Sequence, residues 1–256
     1  MATADFSCSL PEGLADKVRA RMSDMRRREV VRRIWDGDAS VWSGGDEARW
    51  LGWLSLPKQD RTVVDRVSRF AREIQTDMRD VVLLGMGGSS LAPDVIRSVV
   101  GRKEGYPNLH VLDSTDPAQI HSIELAIDLS RTLFVVASKS GSTLEVNILH
   151  QYFFHRLVQS VGAEDAGRHF VLTTDPGSKL HQVASEQRFR EIFDGVPTVG
   201  GRYSALSNFG LVPAALIGAD LSTLLDRADV MARRCASDGP DNAAFELGVI
   251  LGELSQ

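Results

Sequence analysis

The chain has 256 residues, 43% hydrophobic and 25% charged, enough for one large α/β domain or two small ones with a buried core. Its net charge of −5, from 29 basic and 34 acidic residues, excludes a general attraction to nucleic acid or an anionic membrane and leaves any small anion to a local site. Cys8 and Cys235 stand outside any disulfide or zinc-ligand spacing, and no apolar stretch approaches the ~20 residues that span a bilayer. The first residues lack a basic start followed by an apolar core, so a cytoplasmic protein without metal or other cofactor is expected.

From Leu14 to Trp35 apolar residues fall mostly at three- and four-residue steps, which predicts one amphipathic helix. Its run "MRRREVVRR" reads as a solvated helix face, because acids are interspersed nearby. Trp35, Trp42, Trp50 and Trp53 follow within twenty residues and are expected to pack. Another helix is expected at about 60–77. From Val81 short apolar runs alternate with helical patterns: "VVLLG", "LHVLDS", "TLFVVAS", "HFVLTT" and "FREIFD" as strands, with helices between them. The alternation predicts an α/β fold, a doubly wound five-stranded parallel sheet in the flavodoxin-like order 2-1-3-4-5. Past residue 204 the pattern is helical again. The division expected is a helical N-terminal extension, 1–79, and an α/β domain, 80–256.

With order 2-1-3, the crevice where ligands bind lies between the loops after the first and third strands. The first loop, "GMGGSSLAP" at 85–93, has glycines that let backbone approach an anion, hydroxyls on Ser89 and Ser90, and unpaired amides expected at the next helix start. The second, "SKSGSTLE" at 138–145, sets Ser138, Ser140, Ser142 and Thr143 around Gly141, with Lys139 adjacent. That many donors suit a phosphate monoester. Either loop alone is explained as well by helix capping. A dinucleotide fingerprint is broken at Ser90, where the third glycine should stand, and no Gly-Lys-Ser/Thr closes a triphosphate loop. After the fifth strand, "GGRYS" at 200–204 brings Arg202 behind two glycines, to the crevice or simply to the surface.

"GMGGSSLAP", "SKSGSTLE" and "GGRYS", in that order, resemble the glucose-6-phosphate isomerases, specifically the first of their two sugar isomerase (SIS) domains, over about residues 80–255. The segment "RIWDGDASVWSGGDEARWLGWL" resembles more loosely the stretch before the isomerase part of fused transaldolase–isomerase chains. The first resemblance implies interconversion of glucose 6-phosphate and fructose 6-phosphate through a cis-enediolate, a step of glycolysis and gluconeogenesis, in a homodimer. It implies phosphate on Ser138, Ser140 and Thr143 with Lys139 beside it. Gly88 and Ser89 would line the sugar, and Gly201 and Arg202 would sit over C1 and C2. The family's glutamate base, ring-opening histidine and C-terminal lysine belong to later segments, in a second SIS domain not matched here. The alternative is a non-catalytic SIS module that binds sugar phosphate.

Overall fold

The structure is a computed structural model describing residues 8–239 and 242–255. Its helices are α1 (Leu14–Arg27), α2 (Val30–Trp35), α3 (Arg61–Asp77), α4 (Gly88–Val100), α5 (Pro117–Ala126), α6 (Leu144–Val161), α7 (Ala163–Ala166), α8 (Lys179–Glu186), α9 (Asn208–Leu216), α10 (Leu221–Cys235) and α11 (Ala243–Leu254). The strands are β1 (Asp80–Gly85), β2 (Asn108–Leu112), β3 (Thr132–Ala137), β4 (Phe170–Thr174) and β5 (Glu191–Asp194), and every pairing is parallel in the order β2-β1-β3-β4-β5. The doubly wound sheet expected from the alternation is therefore the observed one. By its contacts the chain divides into residues 58–225 and, separately, residues 1–57 with 226–256.

The larger unit explains why its strands read as unbroken apolar runs. Val81 and Leu83 of β1 join one core, with Val64, Val67, Phe70 and Ile74 of α3 and Leu211, Val212 and Leu216 of α9. Val82 and Leu84 join the other, with Val146, Leu149, Phe153 and Leu157 of α6. Side chains alternate between the faces and both faces are covered, so neither can be polar. Phe134 of β3 stacks on Phe153 at 4.6 Å between ring centroids and on Phe170 at 5.3 Å. The helix at 60–77 starts as expected, where the Asp60 carboxylate accepts the Thr62 amide at 2.9 Å.

In the smaller unit Val18 of α1 packs with Val249 and Ile250 of α11, and Arg21 Nε donates to Glu253 at 2.6 Å. The single helix expected over residues 14–35 is two, because Glu29 takes a left-handed conformation (φ 52°) and breaks the hydrogen-bond ladder between α1 and α2. Four of the five arginines of "MRRREVVRR" are neutralised locally: Arg27 and Arg28 on Asp24, Arg32 on Glu29, Arg33 on Asp38. Trp42 and Trp50 are 40% and 37% exposed, so the expected packing holds for neither. Trp35 is half-buried and donates Nε1–H to the Cys235 carbonyl at 3.1 Å. No helix of the described residues is long and apolar enough to cross a membrane.

Candidate active site at the carboxyl ends of the strands

Gly85 pairs in register with Ala137, so the loops leaving β1 and β3 start side by side. The third loop joins them by backbone contact. Gly88, the first residue of α4, lies against the carbonyl of Gly201: a Cβ built on Gly88 would sit 2.5 Å from the Gly201 carbonyl carbon, closer still to its oxygen, and 3.2 Å from the Arg202 amide nitrogen. Only glycine fits there. The Gly201 carbonyl is fixed from behind by Ser204 Oγ, which donates to it at 2.7 Å. Arg202 is exposed and makes no side-chain hydrogen bond or ion pair among the described residues.

The expectation of unpaired amides at the first loop needs correction in part. The amides of Ser89 and Ser90 turn back onto the carbonyls of Met86 and Gly87, at 3.2 and 3.0 Å, and Ser90 Oγ donates to Gly87 at 3.1 Å. Ser89, nearly buried, keeps a hydroxyl with no hydrogen-bond partner among the described residues.

In the loop after β3, Ser138 is buried and its hydroxyl meets Thr143 Oγ1 at 2.9 Å, while Ser140 Oγ meets Ser142 Oγ at 2.8 Å. Gly141, at φ +67°, is pressed onto Ser178, whose Cβ would lie 2.7 Å from a Cβ at that position. Capping differs from helix to helix. After β2, Asp116 caps α5 by accepting the amides of Ala118 and Gln119, and after β4, Ser178 caps α8 by accepting from His181. After β1 and β3 the Gly87 and Thr143 positions give α4 and α6 no side-chain cap. Thr143 has a suitable hydroxyl, but it is turned to Ser138. Among the α-helices that follow strands, the two starts without a side-chain cap flank the switch in strand order; the partial positive charge of α6 is open to an anion there, while at α4 the Ser89 and Ser90 amides are already spent on Met86 and Gly87.

The support for this loop comes from a turn that sequence reasoning passed over, "TTDPGS" at 173–178. Thr174 Oγ1 donates to the Ser138 carbonyl at 2.7 Å, the Asp175 amide donates to the Lys139 carbonyl at 3.0 Å, and Ser138 N donates to Thr173 at 3.1 Å. The Lys139 ammonium pairs with Asp175 Oδ2 and reaches the Pro197 carbonyl at 3.2 Å, tying together the loops after β3, β4 and β5. Gly195 makes room for this turn, since a Cβ there would strike Asp175 Oδ1 and come within 3.0 Å of Phe209. A 36-residue separation between lysine and aspartate leaves no local signal. The tightly spaced Asp-Pro-Gly-Ser after the fourth strand was the available clue.

The histidines lie in other settings. His150 is buried, with Nε2 3.0 Å from Gln187 Oε1, and burial holds its pKa below the ordinary 6.5 against that hydrogen bond. His169 Nδ1 donates to the Thr132 carbonyl at 2.9 Å. No cluster of three or more metal-ligating side chains occurs among the described residues. A cavity of about 760 Å³ opens at the opposite, amino-terminal edge of the sheet and shares no residue with these loops. The loops are the stronger candidate for chemistry, because open parallel sheets bind ligands outside the carboxyl ends of their strands.

A family model described as Phosphoglucose isomerase matches residues 59–253. A protein named glucose-6-phosphate isomerase from Thermus thermophilus is 35% identical over 204 residues, covering 80% of this chain and 45% of that protein. One so named from Carboxydothermus hydrogenoformans is 30% identical over 216 residues, 79% of this chain and 46% of its own length. Among solved structures, a hypothetical protein from Thermus thermophilus matches with a TM-score of 0.79 at 31% identity, over 93% of this chain and 55% of that one. A glucose-6-phosphate isomerase from Chlamydia trachomatis shares the fold, with a TM-score of 0.76 at 21% identity over 93% and 50%. The chain spans about half the length of the curated relatives it matches. With the family match running from the residues before α3 to the last turn of α11, the chain belongs to the phosphoglucose isomerase family.

Proposed function

We propose that the chain carries the phosphate-binding half of an aldose–ketose isomerase that interconverts glucose 6-phosphate and fructose 6-phosphate. The observation that carries this reading is the pair of uncapped helix starts flanking the crevice, the second ringed by hydroxyls. In this reading the phosphate lies on Ser138, Ser140 and Thr143 at the start of α6. Lys139, held by Asp175, gives a fixed positive charge beside it rather than a mobile ligand. The sugar chain runs along Gly88 and the open hydroxyl of Ser89 toward Gly201 and Arg202.

Isomerisation moves a proton between C1 and C2, and negative charge develops on the oxygens of the enediolate. Arg202 supplies a permanent cation there, worth most if its loop is already in place. The backbone contact between Gly88 and Gly201 keeps it so, because the wall along the sugar and the arginine loop are one packed unit. The general base belongs, on this reading, to the part of the relatives' length that this chain does not span, together with the second SIS domain; residues 1–79 form the extension and 80–256 the first SIS domain. A base missing from the site costs ~10²–10⁴-fold in rate.

A cytoplasmic homodimer belongs to the same proposal. The dimer part of it is supported by exposed apolar stripes at four-residue spacing, Leu91, Val95 and Val99 on α4 and Leu144, Ile148 and Tyr152 on α6. The test is a coupled assay with fructose 6-phosphate on this chain and on a version extended past Gln256. Turnover confined to the extended chain is expected. Turnover in neither, with sugar-phosphate binding retained, favours a non-catalytic sugar-phosphate module instead.

A further inference from the structure

The cavity of about 760 Å³ at the amino ends of the strands is lined by Asp77, Arg168, His169, Arg188 and Arg190, with Met78, Val161 and Phe189 as apolar wall. Strands of five or six residues place it about 17–20 Å from the loops described above. Asp165, also at its rim, and Asp77 account for two of the three arginines: Arg168 lies 3.3 Å from Asp165 and Arg190 2.8 Å from Asp77. Arg188 is exposed and its guanidinium has no hydrogen bond or ion pair among the described residues. His169 is buried and spends Nδ1–H on the Thr132 carbonyl, leaving Nε2 as the ring nitrogen without a protein partner among the described residues.

Two backbone features bring these groups together. Arg188 sits at φ +55° just past α8, a left-handed position where glycine is the favoured residue and any side chain costs free energy. Gly167, just before Arg168, packs its Cα onto this turn: a Cβ there would lie 2.8 Å from the Arg188 carbonyl oxygen and closer still to that of Gln187. An arginine thus stands in a glycine position, held against a second arginine-bearing turn by a real glycine. Strain kept at a cavity wall is a reason to ask what the side chain does. The volume is that of a small-molecule site, and guanidinium forks match phosphate oxygens with paired hydrogen bonds.

We infer that this cavity is a second anion site, separate from the crevice, that takes a small phosphate-bearing molecule on Arg188, Arg168 and Arg190. The inference is independent of the proposed catalytic reading. The probes are inorganic phosphate and pyrophosphate, titrated at constant ionic strength into the chain and followed through the backbone amide resonances of Gly167, His169 and Arg188. Saturable shifts are expected with pyrophosphate, and with phosphate more weakly. Arg188→Gly relieves the strained backbone, so it should melt no lower than the parent, yet weaken pyrophosphate about tenfold or more through loss of a charge-assisted contact. Ser138→Ala should leave these shifts unchanged. Absence of saturable shifts, undiminished binding in Arg188→Gly, or loss of the shifts in Ser138→Ala would each overturn the inference. Should Arg188→Gly lose the native amide pattern, Arg168→Ala carries the same test, with severalfold weakening expected and unchanged binding counting against the site.

Discussion

Gly88→Ala tests the contact on which the crevice depends. Gly88 opens α4, and at an ordinary helical position alanine would stabilise by ~0.5–1 kcal/mol relative to glycine. Here the added Cβ meets the Gly201 carbonyl carbon at 2.5 Å, where ordinary contact needs about 3.4 Å, so two backbones must part by roughly 1 Å. Neither can yield as a flexible side chain would: Gly201 is held by Ser204, and Gly88 leaves a strand buried on both faces. Overpacking of this kind costs ~1–3 kcal/mol, so after the helix gain a net loss of up to ~2.5 kcal/mol, centred near ~1 kcal/mol, is expected. Urea unfolding should show the midpoint falling by about 0.5 M with an unchanged slope. Gly248→Ala, on an exposed face of α11 with nothing within 4 Å of its Cβ, is the control and should stabilise. A higher midpoint in Gly88→Ala would refute the close approach of the first and third loops. So would an unchanged affinity for fructose 6-phosphate in a protein known to bind it, because displacement of Gly201 carries Arg202 with it.

The remaining predictions concern what holds the larger unit together. Asp175→Asn removes the carboxylate charge that the half-buried Lys139 ammonium pairs with, and should lower stability by ~1–3 kcal/mol and weaken fructose 6-phosphate; calorimetry finding the ligand bound as before would show that the strut does not position the loop after β3 for the ligand. Asp60→Ala leaves the Thr62 amide without its cap and should cost ~0.5–2 kcal/mol, while Asp60→Asn recovers most of it; equal losses in both would point away from capping. His150 is neutral in the fold because burial lowers its pKa below 6.5, so the unfolded chain takes up the proton first as pH falls. Its contribution is complete above about pH 6.5 and is lost below it, by at most ~1.4 kcal/mol per pH unit; the drop in urea midpoint between pH 7.5 and 5.5 should shrink in His150→Gln, and an identical drop would exonerate His150.

Much of this was legible in the sequence for a physical reason. A parallel sheet buried on both faces must be written as apolar runs such as "VVLLG" and "TLFVVAS", so strand number followed from the runs, while the order 2-1-3-4-5 rested on the compact flavodoxin-like arrangement and was not written in them. The loops stood out because glycine and hydroxyl residues concentrate at the helix starts after β1 and β3. What the sequence hid was tertiary. The left-handed turn at Glu29 that splits the first helix carries no glycine to announce it. Asp175 sits 36 residues from the lysine it holds, and nothing in "GMGG" tells which glycine meets the "GGRYS" backbone. Capping and binding also look alike as strings. The geometry shows which residues cap: Asp116 and Ser178 are bonded to their helices, while Thr143 is turned toward Ser138.

The most direct test of the central claim is calorimetric titration of the chain with fructose 6-phosphate and with fructose, repeated in Ser138→Ala and Thr143→Ala. Fructose 6-phosphate is expected to bind, fructose lacking the phosphate not to bind measurably, and each variant to weaken binding of the phosphorylated sugar about tenfold. Equal binding of the two sugars, or variants that bind fructose 6-phosphate like the parent, would contradict the assignment of the phosphate to the loop after β3.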